Sequence, residues 1–277
     1  MKTSLQVRYD RLRRRMFFPK ADAETFPVHP HHIKDGLFIK ISAVPGAFFA
    51  EKLVSDFVVN HRVSTPRAIR VTDTEFVTQE ISGASLYTKP HTADITRFGD
   101  AVHRLHALSV PGYGAISSQK LLGLWDSWGA YIRTALNAEL SILKKRSVLS
   151  DSECKRIITV MKQTAFPSKH KLLHGDLAHH NVFVSKTAVT LVDWEDAVSG
   201  DPMYDVAYYE TGCYSHPAWF AAFEKGYGRI QKNRLYWVYY LRAALAKTVV
   251  MIREKKKNEL GDLPLGTRIR FALTKLA

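Results

Sequence analysis

Three polar side chains between residues 176 and 193 have types and spacings that suit metal-assisted phosphoryl transfer. Asp176 lies in a polar loop, Asn181 follows five positions later, and Asp193 follows two short apolar runs. Carboxylate and amide oxygens are ligands that a hard cation such as Mg²⁺ accepts, and phosphate oxygens and water complete its coordination. Asp176 can then orient or deprotonate an attacking hydroxyl while the metal offsets phosphate charge.

The elements that position these side chains are two predicted strands. The apolar runs 182–184 and 189–192 are separated by residues 185–188, which predicts a β-hairpin with a tight turn. Asn181 stands at the start of the first strand and Asp193 at the end of the second. Antiparallel pairing therefore brings both side chains to one end of the hairpin, where they can share a divalent cation.

The run from His174 to Asn181, His-Gly-Asp-x4-Asn, is followed by a strand and by Val-Asp-Trp-Glu-Asp-Ala. This combination resembles the aminoglycoside phosphotransferase and choline kinase family, which has a protein-kinase-like fold. The resemblance implies an α+β, bilobal architecture with a small N-terminal antiparallel β-sheet lobe and a larger, mostly helical C-terminal lobe. It also implies transfer of the γ-phosphoryl group of ATP, with Mg²⁺, to a hydroxyl of a small molecule.

Residue by residue, the resemblance implies that Asp176 is the catalytic aspartate and that Asn181 and Asp193 hold Mg²⁺. It further implies that His174 shapes the catalytic loop. Asp205, within Gly-Asp-Pro-Met-Tyr-Asp, would tie that loop down through hydrogen bonds. Taken alone, each Asp or Asn is more often a cap at a turn, so the assignment depends on the combination.

A phosphate-binding lysine on an N-terminal strand is the next feature that the resemblance implies, and Lys40 in the run 36–42 fits it. A buried ammonium needs an anionic partner. Glu51, in a predicted amphipathic helix over 47–59, would supply one together with the ATP phosphates. The alternative is a lysine that ends a strand with its head in water.

The strand signals at 68–71 and 76–81 stop at Ser82, which predicts a lobe boundary there. We therefore expect an N-terminal nucleotide-binding lobe over 1–82 and a C-terminal catalytic and acceptor-binding lobe over 83–277. A chain of 277 residues suits two packed lobes in one functional unit.

The family binds adenine through backbone groups at the lobe connection, which makes Gln79, Glu80 and Ile81 the nucleotide candidates here. Residues 10–34 contain no glycine, so the glycine-rich phosphate loop of protein kinases is missing. No Asp-Phe-Gly or Ala-Pro-Glu segment follows residue 193 either. These differences favour a small-molecule kinase over a protein kinase, and they leave the phosphate contacts before Asp35 undetermined.

Three acidic residues follow the metal aspartate closely, namely Glu195, Asp196 and Glu210. They form either an acidic acceptor pocket, as this family offers to amines, or helix caps and surface salt bridges. The acceptor therefore remains open among aminoglycoside-like antibiotics, choline-type amines, sugars and amino alcohols.

Helical periodicity covers most of the remaining chain. Ser150-Asp-Ser-Glu153 has the signature of an N-terminal cap and opens one of these helices. The predicted helices lie at 92–108, 121–145, 150–161, 208–227 and 233–255.

Net charge is +14, with basic clusters at 11–15 and 255–257. Such clusters can meet nucleic acid or a membrane surface, but a charge run is usually a solvated face, and no nucleic-acid module accompanies them. Nucleic acid is therefore disfavoured as a partner.

The sequence shows no signal peptide and no apolar stretch long enough to span a bilayer, and its two cysteines, Cys154 and Cys213, have no metal or redox spacing. We expect a cytoplasmic protein. The sequence leaves ATP or GTP and the oligomeric state open. The rival to an active kinase is a non-catalytic nucleotide-binding protein of the same fold, which is disfavoured because every expected polar residue is present.

Overall fold

The computed structural model describes residues 31–253 and 264–277. The basic clusters at 11–15 and 255–257 lie outside the described residues. The fold is α+β as predicted, with a small antiparallel sheet followed by a larger, mostly helical portion.

The first sheet carries the candidate lysine on a central strand. Asp35 and Gly36 both have positive φ angles, 52° and 72°, which suits the tight turn between its first two strands. Lys40 pairs with His31 on one side and with Phe76 on the other. The strands are His31–Lys34 (β1), Leu37–Ile41 (β2), Ala68–Val71 (β3) and Glu75–Gln79 (β4), in the order β1-β2-β4-β3.

The helices build most of the hydrophobic core, which is continuous through the larger portion. Ser150 and Glu153 form the predicted reciprocal capping box at the start of one of them. The helices are Phe49–Asn60 (α1), Thr92–Ala107 (α2), Trp128–Arg133 (α3), Leu136–Lys145 (α4), Asp151–Gln163 (α5), Met203–Gly212 (α6), Pro217–Tyr227 (α7), Arg234–Arg253 (α8) and Thr267–Lys275 (α9).

Two small sheets accompany these helices. In one, Val182–Val184 (β9) and Val189–Leu191 (β10) form the antiparallel hairpin that the sequence predicts, and Ala84–Ser85 (β5) pairs with β9. Because β5 joins this hairpin directly after residue 82, it supports a lobe boundary near Ser82, which we propose. The other sheet contains Tyr113–Ile116 (β6), Gly123–Trp125 (β7), Lys171–Leu173 (β8) and Val198–Gly200 (β11), in the order β7-β6-β11-β8.

The single helix predicted over 121–145 is wrong. Its first residues form β7, and the rest divides into α3 and α4 at Ala135, which has a left-handed φ of 70°. Ser127 caps the start of α3 by accepting a hydrogen bond from the Ala130 amide. The apolar pattern runs on without a break because both helices face the same core.

The predicted helix over 208–227 is likewise two helices, α6 and α7. Cys213 ends α6, and Pro217 begins α7 at the first helical position, where a missing N–H costs nothing. α6 carries Asp205 and Tyr208, which contact the loop that begins at His174.

Within the described residues, α8 is the helix that is long and apolar enough, by length and composition alone, to cross a membrane. The sequence analysis did not expect such a segment. Of its most apolar 18-residue window, 61% is buried inside the protein, and α8 packs against α6 and α9. We therefore interpret α8 as a core helix.

Candidate active site

Asp205, in the first turn of α6, holds the loop that begins at His174. Its carboxylate accepts hydrogen bonds from the backbone amides of His174, at 2.6 Å, and Gly175, at 3.0 Å. The ring of His106 lies 3.2 Å from the same carboxylate. Asp205 is fully buried, so these donors supply the partners that a buried carboxylate requires.

Two further contacts fix the start of this loop. The Nε2 of His174 donates to the backbone carbonyl of Val192 at 2.8 Å, which ties the loop to the end of the hairpin. Gly175 has a φ of 84°, and a Cβ there would lie 1.9 Å from the carbonyl oxygen of Asp196. Only glycine permits this close approach.

Asp176 follows directly and is surrounded by hydrogen-bond donors. The Tyr208 hydroxyl donates to Oδ1 at 2.7 Å, and the Asn181 side-chain amide donates to Oδ2 at 3.0 Å. The His180 ring lies 3.5 Å from Oδ2. Burial opposes ionisation, but His180, the Tyr208 hydroxyl and the charge of Lys247 together hold the pKa of Asp176 well below its usual range.

Asn181 and Asp193 meet at one end of the hairpin, as the sequence predicts. The backbone amide of Val192 donates to the carbonyl of Asn181 at 3.1 Å, and the next residue is Asp193. Asp193 has a left-handed φ of 67°, a conformation that Asp tolerates better than most residues. Because the Asn181 side chain donates through its nitrogen, its Oδ1 remains the oxygen suited to a cation.

Lys40 joins the first sheet to this end of the hairpin. Its Nζ lies 3.0 Å from Glu51 Oε2 on α1, 2.8 Å from Asp193 Oδ1 and 3.4 Å from Glu195 Oε2. The side chains of Lys40 and Glu51 are only 8% and 3% exposed. The alternative of a strand-end lysine with its head in water is therefore wrong.

The charges of this cluster shift the pKa values of Lys40 and Glu51. Burial lowers the pKa of Lys40, but Glu51, Asp193 and Glu195 outweigh it and leave that pKa well above its usual value. Burial, reinforced by Asp193 and Glu195, raises the pKa of Glu51 to about 7 in spite of Lys40. One cation therefore faces three carboxylates.

A cavity of about 970 Å³ connects the Lys40 cluster to Asp176. A volume of this size suits a nucleotide together with a small second ligand. Nine of the thirteen site residues expected from the sequence line it: Lys40, Glu51, Glu80, Ile81, Asp176, Asn181, Asp193, Glu195 and Asp196. His174 and Asp205 lie beneath the loop, while Gln79 and Glu210 are placed elsewhere.

At the lobe connection, Glu80 and Ile81 line the cavity, whereas Gln79 is the exposed last residue of β4. The Glu80 amide donates to the carbonyl of Gly36 at 2.8 Å and is therefore committed to the sheet. A nucleotide base would have to use other backbone groups of this segment.

Glu210 lies on α6 away from the cavity. It accepts hydrogen bonds from Lys232, at 2.5 Å, and from the Tyr236 hydroxyl. This is the salt-bridge alternative, and the structure gives Glu210 no place in an acceptor pocket. Glu195 contacts Lys40, whereas Asp196 lines the cavity beside Gly175, the residue before Asp176.

Several side chains that line the cavity were not expected from the sequence. Tyr208 and Trp219 were treated only as parts of the predicted helix over 208–227, and both line the cavity. Lys247 and Arg253 lie on the mostly apolar α8, which also carries Arg234 and Arg242, and charged residues in such a helix were the signal that could have found them. The additional lining residues include Tyr131, Tyr204, Tyr208, Trp219, Lys247 and Arg253.

A buried lysine–glutamate pair under a small sheet, facing a loop with Asp176 and a hairpin end with Asp193, gives the chain the organisation of a protein-kinase-like phosphotransferase. The sequence model of the phosphotransferase enzyme family matches residues 46–239. The chain therefore belongs to the phosphotransferase enzyme family. No curated protein sequence matches it.

Solved structures of this fold resemble the chain over most of its length. An apo thermostable mutant of aminoglycoside phosphotransferase APH(4)-Ia has a TM-score of 0.64 at 16% identity, covering 89% of this chain and 87% of that one. A choline/ethanolamine kinase family protein from Mesorhizobium loti has a TM-score of 0.61 at 16% identity, with coverages of 96% and 94%. A putative fructosamine-3-kinase from Haemophilus somnus 129PT has a TM-score of 0.58 at 14% identity, with coverages of 87% and 84%. The TM-scores over most of both chains establish the shared fold.

Proposed function

We propose that the protein is an ATP-dependent kinase that transfers the γ-phosphoryl group to a hydroxyl of a small polar molecule. The observation that carries this proposal is that one cavity is lined both by the Lys40–Glu51 pair and by Asp176. Phosphoryl transfer depends mainly on positioning and charge stabilisation, and these groups offer both. GTP is a second nucleotide that the cavity accommodates equally on these grounds.

In this proposal the nucleotide lies on the Lys40 side. Lys40 neutralises phosphate charge, Glu51 holds Lys40 in place, and backbone groups near Glu80 and Ile81 bind the base. Lys40 is preorganised because its ammonium already has three carboxylate partners. Phosphate oxygens would compete for an ammonium that is already directed at the cavity.

The donor set at the hairpin end fits Mg²⁺. Carboxylate oxygens of Glu51, Asp193 and Glu195 lie within 4.8 Å of one another, and these groups carry more negative charge than Lys40 balances. Asn181 and Asp193 would hold the ion, with Glu195 close by. Bound Mg²⁺ supplies positive charge that offsets the phosphate oxygens.

Asp176 receives the acceptor. Its low pKa keeps it ionised, so its carboxylate can accept a hydrogen bond from the acceptor hydroxyl and orient that oxygen. The Tyr208 and Asn181 donors use one position on each carboxylate oxygen and leave further acceptor capacity.

The acceptor classes remain those named above. A ternary complex of aminoglycoside phosphotransferase APH(4)-Ia contains AMP-PNP and hygromycin B, which supports nucleotide plus small-molecule acceptor as the pair to test here. The lining of this cavity also includes Asp196, Lys247, Arg253 and aromatic rings. This mixture argues for testing neutral and acidic hydroxyl compounds alongside the amines.

The test is ADP release by purified protein with ATP and Mg²⁺ across a panel of these hydroxyl compounds. We expect turnover with at least one of them, and Asp176→Asn should lower kcat by about 10²- to 10⁴-fold. Asp56→Asn is the control, because Asp56 pairs with Lys52 at the surface.

Full turnover by Asp176→Asn would overturn the assignment of that residue. Nucleotide binding without ADP release for any compound would favour the non-catalytic nucleotide-binding alternative. We further propose that the protein works in the cytoplasm, where ATP and Mg²⁺ are available; fractionation of expressing cells tests this.

A further inference from the structure

The Asp176 carboxylate is held by residues inside the sequence motif and by residues outside it. Asn181, within the motif, donates to Oδ2, whereas Oδ1 accepts from the Tyr208 hydroxyl, which α6 supplies. Oδ1 is thus held by Tyr208, and Oδ2 by Asn181 with the His180 ring 3.5 Å away. A carboxylate held at both oxygens has its plane fixed, which sets the direction of its remaining acceptor positions.

The Tyr208 ring is held in turn by Lys247 of α8. The Lys247 ammonium lies 3.8 Å from the centre of the ring, and it donates to the Tyr208 backbone carbonyl at 2.9 Å. A cation over an aromatic face is attracted by the electron-rich ring. It also withdraws electron density from the phenol, which makes the hydroxyl a stronger donor to Asp176.

Two buried tyrosines show what a purely structural hydroxyl looks like in this protein. Tyr236 donates to Glu210, and Tyr239 donates to Asp201 at 3.2 Å. Neither of those carboxylates lines the cavity, whereas Asp176 does. The Tyr208 hydroxyl therefore donates to a carboxylate as the other two do, but its partner is the residue proposed to face the acceptor.

We propose that Tyr208 and Lys247 are positioning residues that fix the orientation of the Asp176 carboxylate for phosphoryl transfer. The inference rests on the proposed function for its kinetic consequence, but the orientation itself can be observed without turnover. It extends the site from the hairpin and loop to two helices, α6 and α8.

The first test compares Tyr208→Phe with Tyr236→Phe, since each removes a hydroxyl that donates to a carboxylate, and only the first contacts Asp176. We expect kcat of Tyr208→Phe to fall roughly 10- to 100-fold, as for loss of a hydrogen bond to a charged group. The KM for ATP and the affinity for AMP-PNP should stay within about twofold, because Tyr208 does not contact the Lys40 cluster. Tyr236→Phe should keep wild-type kcat.

Lys247 supplies the second variant pair. Lys247→Met should lower kcat by roughly 3- to 10-fold, and Lys247→Arg should restore most of the loss because a guanidinium also lies favourably on an aromatic face. Equal losses in Lys247→Met and Lys247→Arg would remove Lys247 from the proposal.

The structural readout is independent of activity. In crystal structures of Tyr208→Phe and Lys247→Met we expect the Asp176 side chain to lose its single orientation, while it keeps that orientation in Tyr236→Phe. An unchanged Asp176 in both variants overturns the positioning role. If the wild type shows no turnover with any compound, and the Asp176 orientation still changes in these variants, the positioning role is supported and the proposed function is overturned.

Discussion

Two clusters of polar groups face the same cavity and have opposite charge balance. In the Lys40 cluster one ammonium faces three carboxylates, and the pKa of Glu51 rises to about 7. Around Asp176 one carboxylate faces several donors. The pKa of nearby His179 falls to about 4, because of burial and then the positive charges of His180, Lys247 and His216.

This difference indicates which side requires a ligand to be electrostatically complete. The Lys40 cluster has an excess of negative charge around a buried Lys40–Glu51 pair, and a bound divalent cation with phosphates would balance it. The Asp176 cluster is satisfied by the protein's own groups, so in the proposed function its geometry is set before an acceptor binds. In the proposed function the first cluster compensates charge and the second orients the acceptor hydroxyl.

The largest effect is expected from removing a carboxylate of the Lys40 cluster. Asp193→Asn removes one carboxylate that contacts Lys40 and is a proposed Mg²⁺ ligand. We expect kcat to fall by about 10³-fold, the scale for losing a directed electrostatic contact in a transition state. The rise in Tm on adding Mg²⁺ should also disappear, which is measured by thermal unfolding.

Asp56→Asn serves as the control for this prediction, since it changes a carboxylate of the same type at the surface. An Mg²⁺-dependent rise in Tm that persists in Asp193→Asn would show that the excess carboxylates do not form the cation site.

The second prediction removes the cation from the same cluster. Lys40→Met leaves Glu51 buried beside Asp193 and Glu195 without its ammonium. We expect a loss of about 3 kcal/mol in the free energy of unfolding, because an uncompensated buried charge remains. The KM for ATP should rise by about 10-fold or more. Urea unfolding and initial-rate kinetics measure the two effects.

Lys52→Met is the matched control, because the Lys52–Asp56 pair is about half exposed and such pairs contribute little. Equal destabilisation by Lys40→Met and Lys52→Met would contradict the special role given to the buried cluster.

The smallest effect is expected at His179, near Asp176, and concerns the pH dependence of stability. His179 has a folded-state pKa of about 4 against an ordinary value of 6.5. The unfolded chain therefore binds more protons between these values, so the stabilisation is full above pH 6.5 and declines as the pH falls toward 4. We expect the Tm of His179→Gln to fall less on acidification from about pH 7 to about pH 5 than that of the wild type.

His61→Gln, at an exposed position, is the control for this titration. If the wild type and His179→Gln lose Tm in parallel as the pH falls, the buried neutral state of His179 is refuted.

Local sequence was sufficient for the hairpin and the residues at its end. Alternating apolar runs fix the strands, and strand pairing then forces Asn181 and Asp193 together. The sequence was insufficient for 121–145, because a break such as that at Ala135 follows from packing of two short helices on a shared core and has no glycine or proline to announce it.

The candidate site divides in the same way. The acidic run after Asp193 suggested a common acceptor pocket, yet chain direction separates its members. Glu195 turns to Lys40, Asp196 stays at the cavity, and Glu210 lies on α6 beside Lys232. Proximity along a sequence does not determine which side of a helix or turn a carboxylate occupies.

Sequence alone was enough to bring three candidate residues of the loop and hairpin together, since Asp176, Asn181 and Asp193 lie within 18 positions and are joined by short-range pairing. Only the tertiary structure decided which distant groups complete them. Lys40 comes from 153 positions before Asp193, and Lys247 reaches Tyr208 from another helix. Contacts of this kind depend on how helices and sheets pack, and packing is specified by the whole core rather than by the spacing of any motif.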